Sequence, residues 1–276
     1  MRNIIRADIY RIVRVKGLYI TLAVLLTIIV LQVTGGVNMN IVGVTAPEEN
    51  ASIENTDPDR LDVSYLLHSP TGTEAPFQVM GATSNILYIM IPLIIFIGGA
   101  DFSSGAMKNA LAGGLSRAKY YISKLILACV CCALLTIIYV LVSTILATII
   151  NGFGGAFDRA FISNVLKIFL PQLLLCVAGV CVGNFFVFIF QRSGGAFTGI
   201  YIAFLLVPTL LIMVLTLMND RLFRLFDYEL TMSIGSLTQI NAMPAGDIGR
   251  VVAVGGGYIV AAALGGYALF RRAEIK

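Results

Sequence analysis

Charge is scarce in this sequence: 12% of its 276 residues are charged and 58% are hydrophobic, whereas a soluble domain carries about 25% charged residues. Water is therefore not its main solvent. Histidine is scarcer still. The single one, His68, lies outside the long apolar runs, so neither a Ser and His pair nor a histidine-based zinc site can be assembled within them. The Gly-Lys step of a phosphate-binding loop occurs nowhere, which removes ATP hydrolysis by this chain alone. The cysteines Cys129, Cys131, Cys132, Cys176 and Cys181 all fall in two apolar runs, where a free thiol behaves as a small hydrophobe. A soft-metal site built on Cys129 and Cys132 is the alternative. No external disulfide is expected.

What is present is apolar length. Six runs reach the roughly 20 residues that a helix needs to cross about 30 Å of hydrocarbon. They span 17–34, 80–100, 125–150, 165–190, 196–218 and 251–270. The first follows a long basic segment and has no convincing small-residue cleavage site behind it, so it reads as a retained anchor. With the N-terminus inside, the inner segments 1–16, 101–124, 191–195 and 271–276 hold thirteen basic and three acidic residues, and the remainder six basic and twelve acidic. Lys and Arg concentrate in short cytoplasmic segments, so both ends are expected in the cytoplasm. The net charge of +4 hides this polarity and is no sign of nucleic-acid binding. The expected fold is an all-α membrane protein with six transmembrane helices, N-in and C-in. It forms one domain over 1–276, since no repeat or low-complexity tract divides it.

In segment 1–16, Ile5, Ile9 and Ile12 recur at helical spacing while Arg2, Arg6, Arg11 and Arg14 lie largely on the other side. That pattern suits an amphipathic interfacial helix on the inner membrane surface, and the same charges serve equally as a positive-inside tag. Segment 37–83 carries Pro47, Pro58, Pro70 and Pro76 and seven acidic residues against Arg60 alone. It is expected to be an extracellular loop. Segment 219–249 mixes Leu222, Phe223, Leu225 and Phe226 with Arg221, Arg224, Asp227 and Glu229, which suits an extracellular interfacial or re-entrant helix because a plain loop would leave the aromatics in water.

The apolar runs contain almost no ionisable group. Lys167 stands near the outer end of the fourth, where it can snorkel to the headgroups, and Asp101 at the inner boundary of the second. An ion-coupled transporter needs buried acids for its coupling ions, so their absence counts against that class. Gly179 with Gly183, and Gly195 with Gly199, have the four-residue spacing of close helix approach, within the chain or against a second copy. Pro92, Pro171 and Pro208 are candidate kinks. Gln32, Gln172 and Asn184 either bond neighbouring helices or line a substrate route.

The inner segment 101–124 reads DFSSGAMKNALAGGLSRAKYYISK. Asp101 is placed to cap a short helix, Gly113 and Gly114 to turn the chain, and Ser116 to cap the next helix. In the order and spacing of Asp101, Gly105, Lys108, Ser116, Arg117 and Lys124, the chain resembles permease subunits of bacterial ABC transporters of the ABC-2 type. Their loop after the second span commonly runs acidic residue, a few residues, Gly-Thr, one residue and Lys, later Pro-x-Ser-Arg, then a Lys entering the third span. Here Asp stands for the commoner Glu, Ala106 for Thr and Gly114 for Pro, which blurs the subfamily and leaves the spacing intact. The resemblance extends to the basic N-terminal helix, the six-span plan, the outer segment before the sixth span and the short charged tail.

The resemblance implies that 101–124 forms a cytoplasmic coupling helix between TM2 and TM3, with Asp101, Phe102, Gly105, Met107, Lys108, Ser116 and Arg117 meeting a separate ABC ATP-binding subunit. ATP and Mg would sit on that subunit, with no cofactor or metal in this chain and no enzymatic activity of its own. A second permease chain, identical or not, would complete the path. The lipid bilayer is the remaining partner, and the place is the bacterial cytoplasmic membrane, as a multi-pass protein. Cargo without charge-binding groups fits apolar spans: an antimicrobial peptide, drug or lipid, with lantibiotic-immunity exporters the nearest group. Three alternatives remain, namely an ATP-independent carrier or channel, a membrane sensor or scaffold, and an intramembrane enzyme. The last lacks a catalytic cluster.

Overall fold

Apolar runs fold here into long helices, two of which continue through a proline. The structure, a computed structural model, describes residues 2–14, 16–35, 69–81, 84–103, 105–191, 228–237 and 245–272, with scattered positions between 199 and 215. Among the described residues there is no strand, and the named helices are α1 (Arg2–Arg14), α2 (Lys16–Gly35), α3 (Ala75–Gly81), α4 (Ser84–Ser103), α5 (Ala106–Ala112), α6 (Arg117–Asn151), α7 (Arg159–Phe190), α8 (Leu230–Ser236) and α9 (Ala245–Arg272). Capping sets their bounds. The Ser116 hydroxyl accepts from the Lys119 N–H at 3.4 Å to start α6, as its sequence position predicts. Asp158 accepts from the Phe161 N–H at 2.8 Å to start α7. Gly152, at φ 79°, ends α6 in a backbone region open to glycine.

Four helices, α2, α6, α7 and α9, are long and apolar enough to cross a membrane, and α4 contributes the shorter apolar stretch Ile86–Gly99. Leu134, Leu141, Ile145 and Ile149 stand exposed along α6, a surface suited to lipid and not to water. This is the make-up of a membrane protein. The fifth expected run, 196–218, falls mostly outside the described residues, as do most of the 37–83 loop, residues 221–226, Gly195 and Pro208. The second run is divided differently from expectation: Met80 belongs to the separate short helix α3, and α4 begins at Ser84. α4 and α7 continue through Pro92 and Pro171 as single helices.

α7 is the central helix, packed by α9, α4 and α6, with α2 set against α4 and α6. The shared core includes Leu25, Ile29, Met90, Ile94, Leu127 and Leu175. Glycine sets how closely α4 and α7 approach. A Cβ at Gly179 would stand 2.6 Å from a Leu87 methyl, and one at Gly183 would stand 3.0 Å from Ile94, so this glycine pair serves packing within the chain. Gly199 lies against Phe186 and Phe190.

Polar side chains inside the bundle mostly find partners. The Tyr139 hydroxyl donates to Gln32 at 2.7 Å, joining α6 to α2. Gln172 donates to the Met80 carbonyl at 2.8 Å and so binds α7 to the end of α3. Threonine hydroxyls such as Thr136 and Thr144 return to the carbonyl four residues back. Asn184 differs: it is fully buried, and among the described residues neither its oxygen nor its nitrogen has a partner.

The bundle has two distinct ends. At one, α1, the C-terminal ends of α4 and α9, α5 and the start of α6 meet. At the other, Asn151 donates to the Pro70 carbonyl at 2.8 Å, and the Gly72 and Thr73 N–H groups donate to the Gly152 and Phe153 carbonyls at 2.9 Å. There the end of the 37–83 segment is stapled to the α6–α7 connection. α8 packs nearby with Leu230 and Ile234 buried, started by Glu229, which accepts from the Met232 N–H at 2.7 Å.

Overpacking the α4–α7 contact is expected to be costly and adding a methyl to open helix surface is not. Thermal unfolding in mild detergent should show Gly179→Val destabilised by about 1–3 kcal/mol. Gly257→Ala, where a Cβ meets nothing within 4 Å among the described residues, should stay within about 0.5 kcal/mol of the parent.

Candidate functional site

The α1 end is built on buried charge. Asp101 lies in the last turn of α4 and is 3% exposed. The sequence expectation that it caps a short helix is not met. α5 starts instead at Gly105, φ 70°, with no side-chain cap, because the Asp101 carboxylate is committed elsewhere. Tyr120 donates to it at 2.6 Å, Lys124 pairs with it at 2.6 Å, and Arg11 completes the group. The Lys124 ammonium, 1% exposed, also donates to Asp8 at 2.7 Å. Tyr120 and Lys124 are four apart on α6, and Asp8 and Arg11 three apart on α1, so each pair shares a helix face. Two cations meet two carboxylates, and the cluster is neutral.

Burial pushes the Asp101 carboxyl up, but the Lys124 charge and the hydrogen bonds from Lys124, Tyr120 and Arg11 outweigh it and hold it below the ordinary carboxylate value. A depressed folded-state value means that this contribution is present at neutral pH and is lost only as the pH falls through that lowered value.

Beside the charges lies an aromatic cluster. Met107, Tyr120, Tyr121, Phe188 and Phe270 are buried together, with Phe102 packed against them. Phe188 makes edge contacts with Tyr121 at 4.8 Å, Phe270 at 4.9 Å and Phe102 at 5.5 Å, geometry worth about 0.5–1.5 kcal/mol per pair beyond burial. The cluster joins α4, α5, α6, α7 and α9. Arg117 secures the last of these: its guanidinium donates to the Phe270 carbonyl at 3.1 Å and the Arg271 carbonyl at 2.9 Å, satisfying orphan groups at a helix C-terminus.

The residues singled out in 101–117 thus divide into two groups. Asp101, Phe102, Met107 and Arg117 face inward and hold the end together. Lys108, Asn109 and Ser116 are exposed, and Gly105 and Gly114, at φ 70° and 86°, supply the bends on either side of α5. Lys119, Arg271 and Arg272 are also exposed at this end. On α1, Arg6 and Arg14 are exposed as a surface helix requires, but Arg11 turns into the charge cluster. Ile12 and Asp8 are buried, whereas Ile9, Tyr10 and Val13 are exposed. Asp8 and Ile12 therefore share the inward face of α1 while Ile9 turns outward, and the side chains of Arg2 and Ile5 lie outside the described residues. Sequence reasoning assigned no role to Asp8 or Tyr120, and used Lys124 only as a mark of the family resemblance. The available signals were a lone acid in a basic helix and a Tyr and Lys pair four apart at the head of an apolar one.

Cys129 and Cys181 stand 3.9 Å apart, and among the described residues no three metal-binding side chains gather.

Removing the Arg117 anchor should strip two carbonyls of their donor. Arg117→Gln is expected to lower stability by about 1–3 kcal/mol in thermal unfolding, while Lys119→Gln, an exposed cation two residues on, should fall within about 0.5 kcal/mol of the parent.

No curated protein matches the chain. Residues 41–272 match the family described as "Protein of unknown function (DUF2705)", leaving α1 and α2 outside the match, and the chain belongs to that family.

Proposed function

We propose that this chain is a permease subunit of an ABC exporter of the ABC-2 type, with six spans and both ends in the bacterial cytoplasm. The observation that carries this reading is α5. It is a short helix between two apolar helices, held by buried Met107 in a cluster joining α4, α6, α7 and α9, with Lys108 turned outward. A separate ATP-binding subunit seated on that outward face would act on several membrane helices at once. The exposed cations Arg6, Arg14, Lys108, Lys119, Arg271 and Arg272 at the same end support a cytoplasmic placement. The order of Asp101, Gly105, Lys108, Ser116, Arg117 and Lys124 supports the family resemblance. ATP binding on the partner would shift the bundle between inward and outward access, a second permease chain completing the path, and apolar helices suit amphipathic or hydrophobic cargo.

In this reading Lys108 contacts the ATPase while Arg117 acts through the end of α9, so charge reversal separates them. Lys108→Glu should leave membrane insertion and thermal stability intact and uncouple ATP turnover from transport by about tenfold, as expected for about 1.4 kcal/mol of lost coupling. Normal coupling in that variant removes the contact assignment. Purification from the native membrane in mild detergent should recover an ATP-binding-cassette subunit at near-equal stoichiometry, and its absence contradicts the proposal.

A further inference from the structure

At the end of the bundle away from α1, the first three turns of α7 carry a mixed stripe. Arg159, Ser163 and Lys167 are spaced by four, and so are Ile162, Leu166 and Leu170. That spacing puts both sets on one face of the helix. All six are exposed, and together they line a shallow groove of about 380 Å³. No ion pair engages Arg159 or Lys167 among the described residues, and Asp158, the acid nearest in sequence, is turned to the Phe161 N–H.

α7 is one of the helices long and apolar enough to cross a membrane. Two unpaired cations within about 12 Å of its start, at 1.5 Å per residue, are costly in hydrocarbon unless headgroup oxygens reach them. The rings of Phe153, Phe157 and Phe161 cluster at 5.8–5.9 Å at the same start of α7, with Phe157 71% exposed. Such an exposed apolar cap belongs at a bilayer surface. The cations in these same first turns are then at headgroup depth, and Leu166 and Leu170, further along the helix, lie at lipid depth.

We propose that this face of α7 binds an anionic phospholipid, its phosphate held by Arg159, Ser163 and Lys167 and an acyl chain laid along Ile162, Leu166 and Leu170. Charge complementarity selects the anionic headgroup. The apolar strip selects a lipid over a free ion. The proposal rests on the membrane character of α7 alone and is independent of the permease reading.

The test is native mass spectrometry of the full chain in mild detergent, titrated with phosphatidylglycerol or phosphatidylcholine of identical acyl chains. A cation near an anionic lipid contributes about fivefold, so the first phosphatidylglycerol adduct should be favoured about 25-fold. Lys167→Gln should lose about fivefold of that, and the Arg159→Gln, Lys167→Gln pair nearly all of it. The charge-preserving Arg159→Lys, Lys167→Arg pair should keep it, as should Lys108→Gln at the opposite end. Millimolar inorganic phosphate should leave the adduct in place. Equal binding of the two lipids by the parent, an unchanged preference in the double Gln variant, or displacement by inorganic phosphate would overturn the proposal.

Discussion

A cation buried at the head of a long apolar helix must be paired, and Lys124 is that cation. Its ammonium, 1% exposed, reaches Asp8 on α1 and Asp101 on α4 at once. Stranding one charge of a buried group costs about 3–5 kcal/mol, so such a cluster persists only when all its members arrive together. The consequences run through the whole α1 end. α1 docks on its acid and Arg11, α4 is held at its last turn, and α6 enters the bundle at a set height. α5, joined to α4 and α6 by a few residues on each side, has little freedom in where it lies.

The aromatic cluster supplies the second half of that constraint. Phe188 of α7 and Phe270 of α9 meet Tyr120 and Tyr121 of α6, and Arg117 closes the end of α9. α5 is thus tied, through Met107, to the ends of four other helices, α4, α6, α7 and α9. A force on its exposed face has no single helix to move. The outward Lys108 and the inward Arg117 therefore stand in different surroundings although both lie in one short segment.

Apolar length was legible because it is a local property. The runs that became α2, α6, α7 and α9 needed no knowledge of neighbours, and Ser116 announced the start of α6 by its own chemistry. Non-local pairing was not legible. Asp101 offers the same side chain to a helix cap and to an ion pair, and the choice depends on Lys124 and Arg11, far away in the chain. Asp8 looked like one acid lost among arginines, yet it lies on the face of α1 that turns inward. The Gly179 and Gly183 spacing predicted a close approach without naming its partner, which is Leu87 and Ile94 of α4. Gln32 and Gln172 bond neighbouring helices, while Asn184 has no partner among the described residues.

The central claim is that the four charges act as one balanced unit. The Lys124→Met variant strands two carboxylates opposite Arg11 alone. Adding Asp101→Leu leaves one carboxylate, Asp8, and one cation, Arg11, so the charges balance again. Unfolding of the single variants and the double, measured in the same detergent, should therefore show the double more stable than Lys124→Met alone, with a coupling of about 2–3 kcal/mol between the sites. Additive losses, with the double the least stable of the three, would contradict the account.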